Sequence, residues 1–327
     1  VKMAALVLWR WVTRLKRPMS CMSAFSPSFS QRRKGLLQHH HCLSHSPLTH
    51  IYGIALLHDL LIMNRPVIRR EKFTFTNQDG EDLAGLLELP ETEPFAYALF
   101  AHCFTCSKNI GAASRVSRIL AARGVAVLRF DFTGLGNSEG DFANTNFTSN
   151  VQDLISAANA IQNRFCAPSM LLGHSLGGAA VLFAARDLPD VQAVVTVAAP
   201  SEPEHVTHLF AHHHQSIYDD GFAEVNLAGR QFTITRQFLE DIAEHSLLDN
   251  LHNMHKALLI MHSPEDEVVD IVHAKNILDA ANYPKSFISL DGADHLLSQP
   301  EDADYVAEVI TTWASRYIVR SDKGPAD

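Results

Sequence analysis

One serine of this chain lies in a sequence pattern that suits a nucleophile. Residues 173–177 are Gly-His-Ser-Leu-Gly. An apolar run that predicts a short buried strand precedes them, and small apolar residues that predict a helix, 177–186, follow. In such a strand-to-helix turn a serine is held in a strained conformation with its hydroxyl exposed, and the helix N-terminus favours developing negative charge. The pattern therefore predicts that Ser175 is a nucleophile, with glycines on either side where a side chain would collide.

A serine nucleophile needs a base that takes its proton and an acid that orients the base. Two later segments follow predicted strands and carry suitable residues, 262–269 and 291–295. The second ends in Asp-Gly-Ala-Asp-His, and we predict that His295 is the base. The first offers Asp266 as the orienting acid, in the chain order serine, acid, histidine.

Three other carboxylates compete for the role of the acid: Glu265, Glu267 and Asp270. The sequence favours Asp266 because it lies in the loop before a predicted helix at 268–281, whereas Asp270 falls inside that helix.

Stabilising a tetrahedral oxyanion requires two backbone N–H groups, one after the nucleophile and one after an earlier strand. We predict that Leu176 provides the first. The second is predicted at Phe104, where the strand 96–103 ends in Ala-His-Cys-Phe. His102 precedes this loop, and its position indicates a structural role. His174 is expected to pack beside the serine.

The same loop contains a Cys-x-x-Cys pattern, Cys103 and Cys106, which can be a redox pair. Because the pattern coincides with the predicted oxyanion loop, we expect no redox couple. A metal site would need two further ligands, and none is suitably spaced, so we predict no metal and no cofactor. Five cysteines without regular spacing argue against a disulfide framework and favour a reducing, cytoplasmic compartment.

Strand and helix patterns alternate along the rest of the chain, and the predicted strands are apolar throughout, as buried parallel strands are. An antiparallel hairpin leads in, with strands at 71–76 and 83–89. The later predicted strands are 96–103, 125–130, 170–173, 191–198, 256–262 and 286–290, and the predicted helices are 110–123, 149–165, 177–186, 268–281 and 302–319.

Two segments do not follow this alternation. The gap at about 200–255 is too long for a plain crossover between strands, and it includes a histidine run at 212–214; we interpret it as a small lid over the strand ends. Residues 1–62 hold eight basic residues against one acidic residue and are rich in serine. They resemble a transit peptide, but we favour a disordered or non-native extension, followed by one domain at 63–320 and a tail at 321–327.

Composition excludes several functional classes. Hydrophobic residues make up 46% of the chain and charged residues 19%, which is typical of a globular protein. The net charge of −9 argues against nucleic acid as a partner. No apolar run reaches the roughly 18 residues that a membrane span needs. The sequence leaves the oligomeric state open.

Four segments together carry a family resemblance: His-Cys-Phe-Thr-Cys at 102–106, Arg-Phe-Asp-Phe-Thr-Gly-Leu-Gly at 129–136, Gly-His-Ser-Leu-Gly-Gly at 173–178 and Gly-Ala-Asp-His at 292–295. They resemble the α/β-hydrolase superfamily, and most closely the hydrolase half of bacterial proteins that fuse such a domain to an OsmC-like redox domain. The resemblance implies the α/β-hydrolase fold, a mostly parallel sheet with helices on both faces, and implies Ser175, Asp266 and His295 as nucleophile, acid and base. The family's usual His-Gly motif has Cys103 in place of glycine. Residues after 320 leave no room for an OsmC-like domain, so we expect no thiol-peroxidase activity.

The sequence thus predicts a serine hydrolase that cleaves carboxylic esters of small molecules with short acyl chains, through an acyl-enzyme. The alternative is a non-catalytic or redox-accessory protein of the same fold, in which Cys103 and Cys106 matter more than Ser175.

Overall fold

The computed structural model describes residues 67–227 and 229–318, and every structural statement below concerns them. The predicted extension at 1–62 and the predicted tail at 321–327 lie outside the described residues.

A central sheet of eight strands organises the described chain. A separate two-stranded hairpin, β7 and β8, lies between β6 and β9 in the sequence. The strands are β1 (Ile68–Thr76), β2 (Asp82–Pro90), β3 (Ala96–Ala101), β4 (Val125–Phe130), β5 (Met170–His174), β6 (Ala193–Val197), β7 (Phe222–Leu227), β8 (Arg230–Thr235), β9 (Ala257–His262) and β10 (Lys285–Ser289).

The order of strands across the sheet is β1-β2-β4-β3-β5-β6-β9-β10. β1 pairs antiparallel with β2, and β2 pairs antiparallel with β4. All the other neighbours are parallel. The predicted α/β architecture, a mostly parallel sheet led by an antiparallel hairpin, is therefore confirmed. Because β3, β5, β9 and β10 run in one direction, the loops that follow them emerge at the same edge of the sheet.

Helices cover both faces of the sheet. The α-helices are α1 (Gly111–Ala122), α2 (Phe147–Arg164), α3 (Leu176–Asp187), α4 (His214–Asp220), α5 (Arg236–Ala243), α6 (Leu247–Leu251), α7 (Val272–Ala280) and α8 (Pro300–Ala314), and two 3₁₀ helices span Phe142–Asn144 and Pro203–His213. α1 and α8 share one core with alternate strand residues such as Met170 and Leu172. α2, α3 and α7 share the other core with intervening residues such as Leu171. Both faces of each central strand are thus buried, which explains why the strands are continuous apolar runs.

The segment between β6 and β9 contains more regular structure than the sequence pattern suggests. It holds the 3₁₀ helix Pro203–His213, α4, the β7–β8 hairpin, α5 and α6. The sequence pattern predicts one helix in this segment, at 235–245, and α5 lies there. The hairpin strands bury alternate residues, Ala223, Val225 and Leu227 on β7. Such short strands of alternating polarity give a weak signal, and the lid action of the segment stays a prediction.

None of the helices at 67–318, residue 228 apart, is long and apolar enough to cross a membrane.

Candidate active site

Ser175 lies in a sharp turn between β5, which ends at His174, and α3, which begins at Leu176. Its backbone has φ 56° and ψ −130°, a conformation that is strained for a residue with a side chain. A Cβ on Gly173 would lie 2.3 Å from the carbonyl oxygen of Gly177, and a Cβ on Gly177 would lie 2.4 Å from the carbonyl oxygen of His102. Only glycine fits at both positions, so the glycine spacing of the sequence is a consequence of this turn.

A chain of hydrogen bonds connects Ser175 with His295 and Asp266. His295 Nε2 lies 3.1 Å from Ser175 Oγ, and His295 Nδ1 lies 2.8 Å from Asp266 Oδ2. The other carboxylate oxygen, Asp266 Oδ1, accepts hydrogen bonds of 2.9 Å from the N–H groups of Val268 and Val269. The structure thus brings together three residues that lie far apart in the sequence, in loops after β5, β9 and β10.

The competing carboxylates have other partners or face the solvent. Glu265 Oε2 accepts from the N–H of Gly292 at 2.9 Å and so connects the acid loop to the histidine loop. Asp270 Oδ1 accepts from the N–H of Val272 at 2.8 Å, which places Asp270 just before α7. The predicted reason for rejecting Asp270, that it falls inside a helix, is therefore wrong, since α7 begins four residues later than predicted. Glu267 is exposed.

The electrostatics keep the Asp266 carboxylate ionised. Burial raises its pKa, but the hydrogen bonds from His295 and from the N–H groups of Val269 and Val268 outweigh burial, so the pKa of Asp266 lies below its usual value. A buried, ionised carboxylate against Nδ1 fixes the His295 tautomer that carries its proton on Nδ1 and leaves Nε2 free to accept one.

Two further buried histidines hold the backbone of the segments that carry His295 and Asp266. His174 Nε2–H donates to the carbonyl oxygen of His295 at 2.7 Å, and His262 Nε2–H donates to that of Val269 at 2.7 Å. Burial is the main cause that lowers the pKa of His174 to about 4 and also lowers the pKa of His262. Both are therefore neutral donors at neutral pH. The expectation that His174 packs beside the serine stays a prediction; its ring lies 5.0 Å from that of His295, and its hydrogen bond could not be predicted.

The residues predicted to form the oxyanion hole, Phe104 and Leu176, are both buried and line one small cavity. Leu176 is the first residue of α3, so its N–H has no acceptor within the helix. In the described part of the chain, the N–H of Phe104 has no hydrogen-bond acceptor either.

His102 sets the direction of the Phe104 N–H. Its Nδ1–H donates to the carbonyl oxygen of Cys103 at 2.8 Å. In a trans peptide the carbonyl and the following N–H point to opposite sides. Holding the Cys103 carbonyl on one side therefore turns the N–H of Phe104 to the other. The structural role predicted for His102 is therefore to orient the N–H of Phe104.

The Cys-x-x-Cys pattern forms a disulfide between Cys103 and Cys106, with the Cα atoms 5.3 Å apart. The N–H of Cys106 also donates to the carbonyl oxygen of Cys103 at 3.1 Å, which closes a tight turn around Phe104. This differs from the sequence interpretation, which expected no redox pair in this loop. The turn brings the two sulfur atoms together, and the cysteine spacing alone does not define that turn.

A buried polar network that the sequence analysis missed anchors the far end of the predicted oxyanion loop. The Lys108 ammonium group pairs with the Asp131 carboxylate, and both side chains are almost completely buried. Asp131 also accepts the N–H of Lys108 at 2.6 Å and the N–H of Asn137 at 2.9 Å. The loop after β4 is thereby tied to the loop after β3.

Arg129 extends this network into the sheet. Its guanidinium donates to the carbonyl oxygen of Lys108 and pairs with Glu88 at 2.7 Å, where both side chains are 1% exposed. A detectable signal existed, because Arg129 is the single charged residue of β4 and Glu88 stands among apolar residues near the end of β2. Charged residues are almost never fully buried unless they are paired.

Within 67–318, residue 228 excepted, no group of three or more His, Cys, Asp or Glu side chains is arranged to hold a metal ion. The predicted absence of metal and cofactor stays a prediction.

Comparisons with known proteins show which proteins the chain is similar to. A family model described as "Serine aminopeptidase, S33" matches residues 93–227. The crystal structure of the esterase domain from a Rhodothermus marinus protein is similar, with 47% sequence identity and a TM-score of 0.64, covering 77% of this chain and 100% of that domain.

Two curated proteins are more distant relatives. Monoglyceride lipase of Rattus norvegicus is 23% identical over 273 residues, which cover 74% of this chain and 89% of the lipase. The mitochondrial palmitoyl-protein thioesterase ABHD10 of the same species is 23% identical over 237 residues, which cover 66% of this chain and 77% of the thioesterase.

Proposed function

Because the chain belongs to the α/β-hydrolase superfamily, we propose that it is a serine hydrolase that cleaves carboxylic esters through an acyl-enzyme. The observation that carries the proposal is the continuous hydrogen-bonded chain from Ser175 Oγ through His295 to Asp266. It ends on a serine held in a strained turn at a helix N-terminus. That arrangement suits nucleophilic attack on a carbonyl group. The narrower resemblance, to the hydrolase half of fusions with OsmC-like domains, stays a prediction.

In this mechanism each group has one role. His295 Nε2 takes the proton of Ser175 as the oxygen attacks the ester carbonyl. Asp266 stabilises the imidazolium that forms and keeps His295 in the required tautomer. The N–H groups of Phe104 and Leu176 stabilise the tetrahedral oxyanion. His295 then returns the proton to the leaving alcohol and activates the water that hydrolyses the acyl-enzyme.

The substrate class follows from the same chemistry. Esters, thioesters and amides all react through such a triad, and the relatives are named an esterase domain, a lipase and a thioesterase. We propose small carboxylic esters with short acyl chains as the first substrates to test, in a reaction that needs no cofactor.

A second candidate function rests on the disulfide between Cys103 and Cys106. In that alternative the fold is a redox-accessory protein and Ser175 is not a nucleophile. The hydrogen bonds of Ser175 count against it, because a fold used only as a scaffold has no need of an aligned serine, histidine and carboxylate.

Hydrolysis of p-nitrophenyl acetate separates the two candidates. The wild-type protein should release p-nitrophenol with an initial burst that equals the enzyme concentration. Ser175→Ala should lose on the order of 10⁶-fold in kcat. A matched control is Ser169→Ala, because Ser169 lies just before the opposite end of β5. Unchanged hydrolysis by Ser175→Ala, or none by the wild type, would contradict the proposal.

A further inference from the structure

Three histidines cluster beside the proposed triad without belonging to it. His205 and His208 lie on the 3₁₀ helix Pro203–His213 of the segment inserted between β6 and β9, and His273 lies on α7. The His205 ring is 4.4 Å from each of the other two rings. We propose that His205 and His273, together called the histidine latch, bind the inserted segment to the loop that carries Asp266 and so position that carboxylate while both imidazoles are neutral. The inference rests on the proposed function and adds two positioning residues to it.

His205 connects the inserted segment to the acid loop. Its Nε2–H donates to the carbonyl oxygen of Val268 at 3.1 Å. The N–H of the same valine donates to Asp266 Oδ1 at 2.9 Å. From β9, His262 holds the carbonyl oxygen of the next residue, Val269, at 2.7 Å. Two histidines from different elements thus restrain the backbone that orients Asp266.

His273 binds the start of the inserted segment to α7, the helix that follows the acid loop. Its Nδ1 accepts a hydrogen bond of 3.1 Å from the N–H of Ser201 and lies 2.9 Å from the hydroxyl oxygen of the same residue. Ser201 is 2% exposed and lies just before the 3₁₀ helix that begins at Pro203. A backbone N–H can only donate, so Nδ1 is unprotonated and His273 carries its proton on Nε2.

Protonation opposes this geometry at both histidines. A proton on Nδ1 of His273 would face the N–H of Ser201, so that hydrogen bond cannot persist. His205 remains a donor when it is protonated, but its ring lies 4.4 Å from that of His273, and two cations at this distance repel each other. Acid therefore weakens the histidine latch.

The surroundings keep His273 neutral at neutral pH. Burial is the main cause that lowers the pKa of His273 to about 4, and the neighbouring His205, His262 and His208 lower it further. Asp270, just before α7, acts in the opposite direction. An imidazole released from this environment returns to a pKa of about 6.5. The contact with Ser201 should therefore be fully stable above pH 6.5 and weaken as the pH falls toward 4.

His205 responds in the same direction. Burial is the main cause that lowers the pKa of His205, and the positive charge that His208 and His295 can carry lowers it as well. The carbonyl of Val268 and the carboxylate of Asp266 raise it, but burial outweighs them. Both members of the latch thus bind protons more tightly in the open form, so acid favours opening.

Opening the latch should lower activity, because the backbone beside Asp266 loses one of its restraints. A neutral hydrogen bond contributes enough free energy to change a rate by about tenfold at most. We expect kcat to fall by up to this factor. KM for a small ester should change little, since the loss acts through the orientation of Asp266.

Variants that cannot ionise test the latch. In His273→Asn the amide oxygen replaces Nδ1 as the acceptor, and in His205→Gln the amide NH₂ replaces the Nε2–H donor. The double variant should keep near-wild-type kcat/KM for p-nitrophenyl acetate at pH 8 and exceed the wild type by about tenfold at pH 4.5. The ratio of the two proteins at each pH cancels the protonation of His295, which both share. Thermal melting at each pH gives the folded fraction.

Two further variants separate the latch from general effects of losing a histidine. His205→Leu removes the donor and should lower kcat by up to about tenfold at pH 8, whereas His205→Gln should restore it. The matched control is His212→Gln, because His212 lies on the same 3₁₀ helix but is exposed. Its pH profile should follow that of the wild type throughout.

Hydrogen exchange follows the latch without any reaction. After correction for the intrinsic exchange rate, the protection of the Ser201 amide in the wild type should fall between pH 7 and pH 4.5. The amide of Val194, in the core strand β6, should keep its protection over the same range. In the double variant the protection of Ser201 should stay constant. The wild-type measurement alone decides the question if a variant does not fold.

Either of two results would overturn the inference. One is the same pH profile of kcat/KM in the wild type and the double variant. The other is a wild-type Ser201 amide that keeps its full protection down to pH 4.5. The proposed function fails in a different way, if the wild type hydrolyses no ester, and the exchange of Ser201 then still decides whether the latch opens in acid.

Discussion

Asp266→Asn is a small change of one atom that should remove most of the activity. The two oxygens of Asp266 act in different directions: Oδ1 accepts from the N–H groups of Val268 and Val269, and Oδ2 accepts from His295 Nδ1–H. In asparagine only one of the two atoms is an acceptor. The backbone N–H groups can only donate, so they retain the amide oxygen, and the NH₂ group faces His295.

That orientation reverses the tautomer of His295. An NH₂ group can only donate, so Nδ1 must lose its proton and Nε2 must carry it. Nε2 then has no lone pair for the proton of Ser175. In another serine hydrolase, the equivalent change costs about 10⁴-fold in kcat, which corresponds to about 5 kcal/mol of transition-state stabilisation. We expect a loss of this size here. The melting temperature should change little, because the hydrogen bonds to Val268 and Val269 persist.

The assay is steady-state hydrolysis of p-nitrophenyl acetate, with the fraction of folded protein measured by thermal melting. Asp270→Asn and Glu267→Gln are the matched controls, since both remove a carboxylate from the same loop without touching His295. Both should keep near-wild-type kcat. The assignment would be refuted if Asp266→Asn kept most of its rate while either control lost it.

Three further predictions concern other parts of the molecule. Cys103→Ser removes the disulfide, but His102 still orients the peptide before Phe104. The kcat of this variant should therefore fall by much less than the ~100-fold that loss of an oxyanion donor costs. Wild-type protein treated with dithiothreitol should show the same small loss, and a larger, reversible loss would indicate redox control. His174 has a pKa of about 4 when folded but about 6.5 when unfolded. As the pH falls, the unfolded chain therefore binds the proton first. The difference between the two pKa values contributes roughly 3 kcal/mol to the free energy of unfolding above pH 6.5, and this contribution should be lost between pH 6.5 and pH 4. Urea unfolding across that range should show a flatter profile in His174→Gln, and an equal slope would contradict the cause. Removal of residues 1–62 should leave ester hydrolysis unchanged and the melting temperature within a few degrees, whereas a larger drop would show that the extension contributes to stability.

Much of the fold follows from the sequence, because burial on both faces makes the central strands continuous apolar runs. The order and type of the strands from β1 to β6, and of β9 and β10, agree with the pattern. The β7–β8 hairpin was missed since its alternation extends over only six residues in each strand. The sequence predicts the start of α7 too early, because Val268 and Val269 are apolar and fit the pattern of the helix that follows. In the structure their N–H groups donate to the Asp266 carboxylate instead.

Within the site, the residues that carry chemistry could be predicted and the residues that hold them could not. Ser175 stands in a short motif with a physical cause, the close approach of Gly173 and Gly177 to the neighbouring backbone. His295 stands in a short loop motif directly after a predicted strand. The hydrogen bond from His174 to the carbonyl of His295 joins positions 121 residues apart. The pairing of Lys108 with Asp131 also crosses between loops. Such contacts depend on tertiary packing that no local pattern encodes.

Covalent labelling tests the central claim most directly. A fluorophosphonate should add one phosphonyl group per molecule, measured as a single mass shift of the intact protein, and peptide mapping should place it on Ser175. Labelling should vanish in Ser175→Ala and slow strongly in Asp266→Asn, because the nucleophile depends on the base that Asp266 orients. Labelling of another residue, or ester hydrolysis by a protein that the fluorophosphonate does not modify, would contradict the account.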